Sequence, residues 1–73
     1  MEGIEATVFV WYEGRWFVAY EPTSGIASQG RTIDEALENI REALELYLEE
    51  KQDIYPLEQV MVTKLKLKIP QTI

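Results

Sequence analysis

Gly30-Arg31-Thr32-Ile33-Asp34-Glu35-Ala36-Leu37 is the stretch on which the fold turns. Thr32 followed by Glu35 is a capping box. The threonine hydroxyl accepts from a backbone N–H one turn in, and the glutamate reaches back to the N–H of Thr32. Asp34 and Glu35 also place negative charge at the positive end of the helix dipole. Beyond the cap, Ile33, Ala36, Leu37, Ile40, Ala43, Leu44, Tyr47 and Leu48 recur at helical spacing. They form one apolar stripe that predicts a helix to about Glu50, roughly 28 Å long at 1.5 Å per residue. No other stretch reads as a long helix. The remaining residues read as strand and turn, so a sheet must cover that single stripe.

Working outward toward the N-terminus, residues 4–12 are rich in β-branched and aromatic side chains and read as a strand. Glu13-Gly14 follows, then Arg15-Trp16-Phe17-Val18-Ala19-Tyr20. Read as a two-residue hairpin turn, Glu13-Gly14 pairs Trp11 with Trp16, Val10 with Phe17, Phe9 with Val18 and Val8 with Ala19. Alternation then gives two apolar faces. One carries Ile4, Ala6, Val8, Val10, Phe17 and Ala19. The other carries Phe9, Trp11, Trp16, Val18 and Tyr20. One helix covers one face, and the smaller side chains of the first let it approach closely. The five larger residues are left as the expected oligomer or partner interface. The alternatives are that the faces are reversed or that the segment after the helix folds over the aromatics.

Glu21 to Gly25 reads as a loop, Ile26 to Gln29 as a short third strand, and Lys51 to Leu57 as a connection. From Val60 to Ile69 the chain reads as a last strand. Leu65, Leu67 and Ile69 alternate with Lys64, Lys66 and Lys68, giving one wet face whose lysines discourage stray edge pairing. Pro70 stops it. The expected fold is therefore α+β, a small β-β-β-α-β sheet with one helix packed on one face, and 1–73 forms a single domain.

The chain has 73 residues and a net charge of −6, with neither Cys nor His. A core of this size is marginal alone. Without disulfides or the usual zinc ligands, association is the support that remains. No signal peptide or apolar run of transmembrane length is present, so a soluble, cytoplasmic protein is the default expectation. Most of the negative charge lies on the helix. Leu46 lies there too, roughly 130° from the apolar stripe, as an ordinary exposed leucine or a contact to a partner helix.

Little points to an enzyme. Neither His nor Cys is there for acid–base or nucleophilic work, and Ser24 and Ser28 have no base beside them. Gly25 to Gly30 lacks the lysine and glycine run of a phosphate loop. Glu5, Glu13 and Glu21 lie on or near strands, where paired carboxylates can hold Mg²⁺, but their spacing gives no cluster. No catalytic residue, metal or cofactor is expected. The lysine row of the last strand, set near aromatics, suits single-stranded nucleic acid, but the acidic balance opposes it.

Trp16 to Tyr20, the loop ending at Gly25, and Ser28-Gln29-Gly30-Arg31-Thr32 running into the helix through Leu48 together resemble the HicB antitoxin family. That family shows a Ser/Thr-Gln-Gly-Asp-Thr turn before a helix opening with Glu-Glu-Ala. The match runs from Trp16 to Leu48, a little under half of the chain. Ser24-Gly25 stands where the family often has Pro-Gly, Ile26 where it often has Cys, and Arg31 where it usually has Asp.

The resemblance implies a degenerate ribonuclease-H-like fold and a non-catalytic antitoxin. Such a protein binds a small basic HicA-type toxin that cleaves mRNA, and it is usually a dimer or tetramer. No C-terminal DNA-binding domain is expected within 1–73, and specific DNA binding is not expected. Beside the resemblance, the exposed carboxylates Glu38, Glu42 and Glu45 give a physical means of steering a basic partner. The alternatives are a stand-alone oligomeric protein-binding module without a toxin, or a nucleic-acid-binding or metal-dependent nuclease remnant.

Overall fold

The computed structural model describes residues 3–50, 57 and 60–71. Three strands and one helix follow in order: β1 (Phe9–Tyr12), β2 (Phe17–Glu21), β3 (Ile26–Gly30) and α1 (Ile33–Glu50). The strands form an antiparallel sheet in the order β1-β2-β3, and α1 lies across one side of it. This is a small α+β fold.

The first hairpin corrects the expected register. Phe9 pairs with Tyr20, Val10 with Ala19, Trp11 with Val18 and Tyr12 with Phe17. Trp11 therefore does not face Trp16, which lies in a four-residue loop of Glu13 to Trp16. The reason is backbone geometry. A two-residue turn with Gly second needs positive φ at both positions. Gly14 adopts φ 78°, but among the described residues no non-glycine does, so Glu13 cannot share that role. The wider loop is closed by the Glu13 N–H donating to the Trp16 carbonyl at 2.7 Å. The Trp11 indole N–H donates to the Glu13 carboxylate at 2.7 Å, and the Tyr12 hydroxyl to the Gly14 carbonyl at 2.6 Å.

A slip of two residues in the pairing leaves every side chain that stays in the ladder on its expected face. It does shorten the first strand. Continued backward, the ladder would set Val8 opposite Glu21, where β2 ends and the turn to β3 begins. Residues 3–8 thus overhang the sheet without forming strand, a correction to the strand expected from residue 4.

The helix begins where its sequence signals indicate and is described to Glu50. Thr32 Oγ1 accepts from the Glu35 N–H at 3.0 Å. The return arm of the box differs from expectation: the Glu35 carboxylate accepts from the N–H of Arg31, at 2.7 Å, one residue further back than Thr32.

The helix packs on the smaller sheet face. Ala19 and Ala36 are fully buried, with Ile40, Leu44 and Leu57 beside them. Val8, Val10, Phe17, Ile26 and Leu48 pack around this centre. The small side chains of Ala19 and Ala36 take little room at this centre between α1 and the sheet. Gly30 likewise takes little room at the helix entry. A Cβ there would lie 2.5 Å from the Ala36 backbone nitrogen and 2.9 Å from the Glu35 carbonyl carbon. Asn39 adds a further tie, donating from Nδ2 to the Gln29 carbonyl at 2.8 Å. Two members of the apolar stripe, Ile33 and Leu37, remain exposed because the three-stranded sheet is too narrow to cover the whole of it.

The last strand expected over 60–69 is not present. Residues 60–71 form no strand, and Leu65, Leu67 and Ile69 are 81%, 79% and 86% exposed. Alternation creates a strand only where a neighbour supplies the ladder hydrogen bonds, and among the described residues no strand lies alongside. The connection expected over 51–57 falls outside the described residues except for Leu57, which is buried.

Candidate functional site

The β-strand alternation brings Phe9, Trp11, Val18 and Tyr20 to the sheet face opposite α1. Their contacts are partly with one another: Trp11 and Tyr20 meet edge to face, with ring centroids 6.5 Å apart and planes at 63°. Trp11 is 41% exposed, and Phe9, Val18 and Tyr20 are half-buried. Trp16, expected in the same patch, stands apart in the hairpin loop.

That displacement creates a feature the linear sequence did not reveal. Trp16 lines a shallow concavity of about 340 Å³ together with Arg15 and Arg31. Arg15 comes from the β1–β2 loop, and Arg31 from the step between β3 and α1. The register that carries Trp16 out of its strand also brings these two cations to one hollow. Arg15 and Arg31 lie sixteen residues apart, and nothing in their local sequence signals that they meet.

The carboxylates proposed for steering, Glu38, Glu42 and Glu45, are all exposed on α1. Glu38 is tied to Arg41 by an ion pair at 3.7 Å across one helical turn. Both side chains are more than half exposed, so this pair contributes little to stability. Leu46 is 56% exposed on the same helix.

The strand carboxylates have internal roles. Glu13 accepts from the Trp11 indole. Glu21 is fully buried, and its two oxygens accept from the Thr23 N–H at 3.0 Å and the Ser24 N–H at 2.7 Å. Its backbone carbonyl accepts from Gly25 at 2.9 Å, and Ser24 Oγ accepts from the Ile26 N–H at 3.2 Å. Gly25, at φ 78°, completes the reversal. Burial pushes the Glu21 carboxyl upward, but the hydrogen bonds from Ser24 and Thr23 outweigh it and hold the group below its ordinary value. Glu21 is thus the carboxylate cap of the β2–β3 turn. Among the described residues, no three or more Asp and Glu side chains gather where they could hold a metal ion.

A second concavity, about 400 Å³, opens on the helix side of the sheet at its β1 edge. The overhanging Ile4, Ala6 and Val8 form one wall. Leu37, Ile40, Leu44 and Leu48 of α1 form the other, with Leu57 at the same groove and Arg41 and Glu45 at its rim. It is an apolar groove beside the segment that leads into β1, whose outer edge carries no further strand among the described residues.

Among the described residues, no helix is long and apolar enough to cross a membrane. No curated protein and no solved structure matches the chain. A family model does match, over residues 2–68, and the chain belongs to that family, DUF7387, a family of unknown function.

Proposed function

We propose that this protein is a non-catalytic, cytoplasmic protein-binding module of the HicB-like antitoxin kind, which neutralises a small basic RNA-cleaving toxin of the HicA type. The observation that supports the reading most directly is the solvent-facing side of α1, where Glu38, Glu42 and Glu45 stand exposed on a chain of net charge −6. Such a surface draws a basic protein into encounter and competes with RNA phosphates for the same positive field. Steering governs the association rate. Affinity requires desolvated contacts as well, and the exposed Trp11 and the half-buried Phe9, Val18 and Tyr20 supply apolar area for them. The partner class itself rests on the resemblance running from Trp16 through Leu48.

The test is co-expression with the product of the neighbouring reading frame. The two proteins should co-purify, and excess of this chain should stop RNA cleavage by its partner. Cleavage undiminished by excess chain would overturn the antitoxin reading.

A second reading, a stand-alone homo-oligomeric binding module, is favoured by the exposure of Trp11 on the sheet face away from the helix. It predicts self-association without any toxin.

A further inference from the structure

An apolar groove lies at the β1 edge of the sheet, and a strand-patterned arm lies exposed on the same chain. We propose that two copies exchange these arms: residues 60–69 of each copy add as a strand beside β1 of the other and seat Leu65, Leu67 and Ile69 in its groove.

Four observations carry this. First, the arm has the alternation of a half-buried strand, yet its apolar row is among the most exposed in the molecule: Leu65 81%, Leu67 79% and Ile69 86%. Aliphatic side chains so placed are stabilised by any sheet that takes them out of water. Second, the receiving edge is open. In the order β1-β2-β3 the outer side of β1 has no strand beside it among the described residues, and residues 3–8 overhang the end of β2. Its backbone groups are suited to β-augmentation. Third, the groove lies on the helix side of that edge, where alternate side chains of an added strand would point. With Leu65, Leu67 and Ile69 turned inward, Lys64, Lys66 and Lys68 turn to the opposite face. There their stems can lie along Phe9 and Trp11.

Fourth, the arm is placed to reach a neighbour. Leu57 is 1% exposed and belongs to the groove, but from Met61 onward every described residue is exposed. The molecule extends 58 Å along its longest axis, with a radius of gyration of 15.5 Å, against about 11 Å for a compact chain of this length. Ten residues of extended arm span roughly 33 Å. Arm and groove belong to the same chain, so one two-fold axis satisfies both copies at once. This surface borders the aromatic face, where the lysine stems lie, and shares Glu45 at its rim with the acidic side of α1.

The chain has no cysteine, which allows a direct test. Val8→Cys and Leu67→Cys are made in separate full-length chains, mixed under native conditions and oxidised. A disulfide-linked heterodimer is the expected product. When both cysteines are placed in one chain, exchange yields covalent dimer, whereas an arm that folds onto its own groove yields a monomer with an internal disulfide, which overturns the proposal. In parallel, Leu65→Asp with Leu67→Asp should weaken the dimer by more than about a hundredfold, read by light scattering across concentration. A wild type that stays monomeric at tens of micromolar refutes exchange. So does a dimer that survives the arm substitutions but is lost with Trp11→Ser and Trp16→Ser.

Discussion

Replacing Gly30 with Ala adds one methyl group where the structure has no room for it. The new Cβ would lie 2.5 Å from the Ala36 nitrogen, 2.9 Å from the Glu35 carbonyl carbon and 2.9 Å from the Glu35 Cβ. Two of these three atoms are backbone, and the Ala36 N–H makes the first helical bond, to the Thr32 carbonyl at 3.0 Å. No rotamer change relieves the contact. To reach ordinary separation, the first turn of α1 must withdraw by about 1 Å. That movement loosens the capping box and opens the contact between Ala36 and Ala19. Overpacking of this kind costs about 2–3 kcal/mol. For a chain whose total stability is of the order of 4–11 kcal/mol, the loss is large. It corresponds to a fall of roughly 10–20 °C in Tm.

Urea unfolding followed by tryptophan fluorescence reads the change. Gly3→Ala is the control, since a Cβ there meets nothing within 4 Å and should change stability by less than about 0.5 kcal/mol. Gly25→Ala is a second comparison. It also has open space around it, but its φ of 78° adds about 1 kcal/mol of backbone strain. The expected order of destabilisation is Gly30, then Gly25, then Gly3. A Gly30→Ala chain as stable as the Gly3→Ala control would refute the close approach of helix and sheet on which the fold account rests.

Glu21→Gln should destabilise by about 1–3 kcal/mol at pH 7, because an amide cannot accept from both turn N–H groups as the carboxylate does. The folded carboxyl titrates below its unfolded value, so its contribution is present above the unfolded value of about 4.3 and is lost as pH falls through the folded one. The gap between wild type and variant should therefore shrink from pH 7 to pH 3, and a gap unchanged across that range would show that charge is not involved. Trp11→Ser with Trp16→Ser should shift any dimer formed through the aromatic face toward monomer in light scattering. Most of that effect should come from Trp11, since Trp16 lies in the hairpin loop. Reversing Glu38, Glu42 and Glu45 to Lys should slow association with a basic toxin and flatten its salt dependence while circular dichroism stays unchanged, because all three side chains are exposed. An association rate insensitive to the reversal would remove electrostatic steering from the functional account.

Local chemistry was enough for α1. Thr32, Glu35 and the spacing of Ala36, Ile40 and Leu44 act within one or two turns, so a linear reading finds the helix, its start and its buried side. The face of the sheet that receives it was legible for a similar reason: strand periodicity is two, and even a two-residue slip in register preserves it. Tertiary structure decided what depends on distant neighbours. The hairpin loop widened because Glu13 could not adopt positive φ, and that moved Trp16 out of the aromatic patch and toward Arg15 and Arg31. Glu21 looked like a surface carboxylate in sequence, but the turn folded its own N–H groups around it. Gly30 reads in sequence as a strand end, but the structure sets it against the backbone of Glu35 and Ala36, where a Cβ has no room. Residues 60–69 carry the pattern of a strand, but a pattern specifies only which side chains share a face. A strand also needs a partner edge, and which edge it meets is a property of the assembled surfaces.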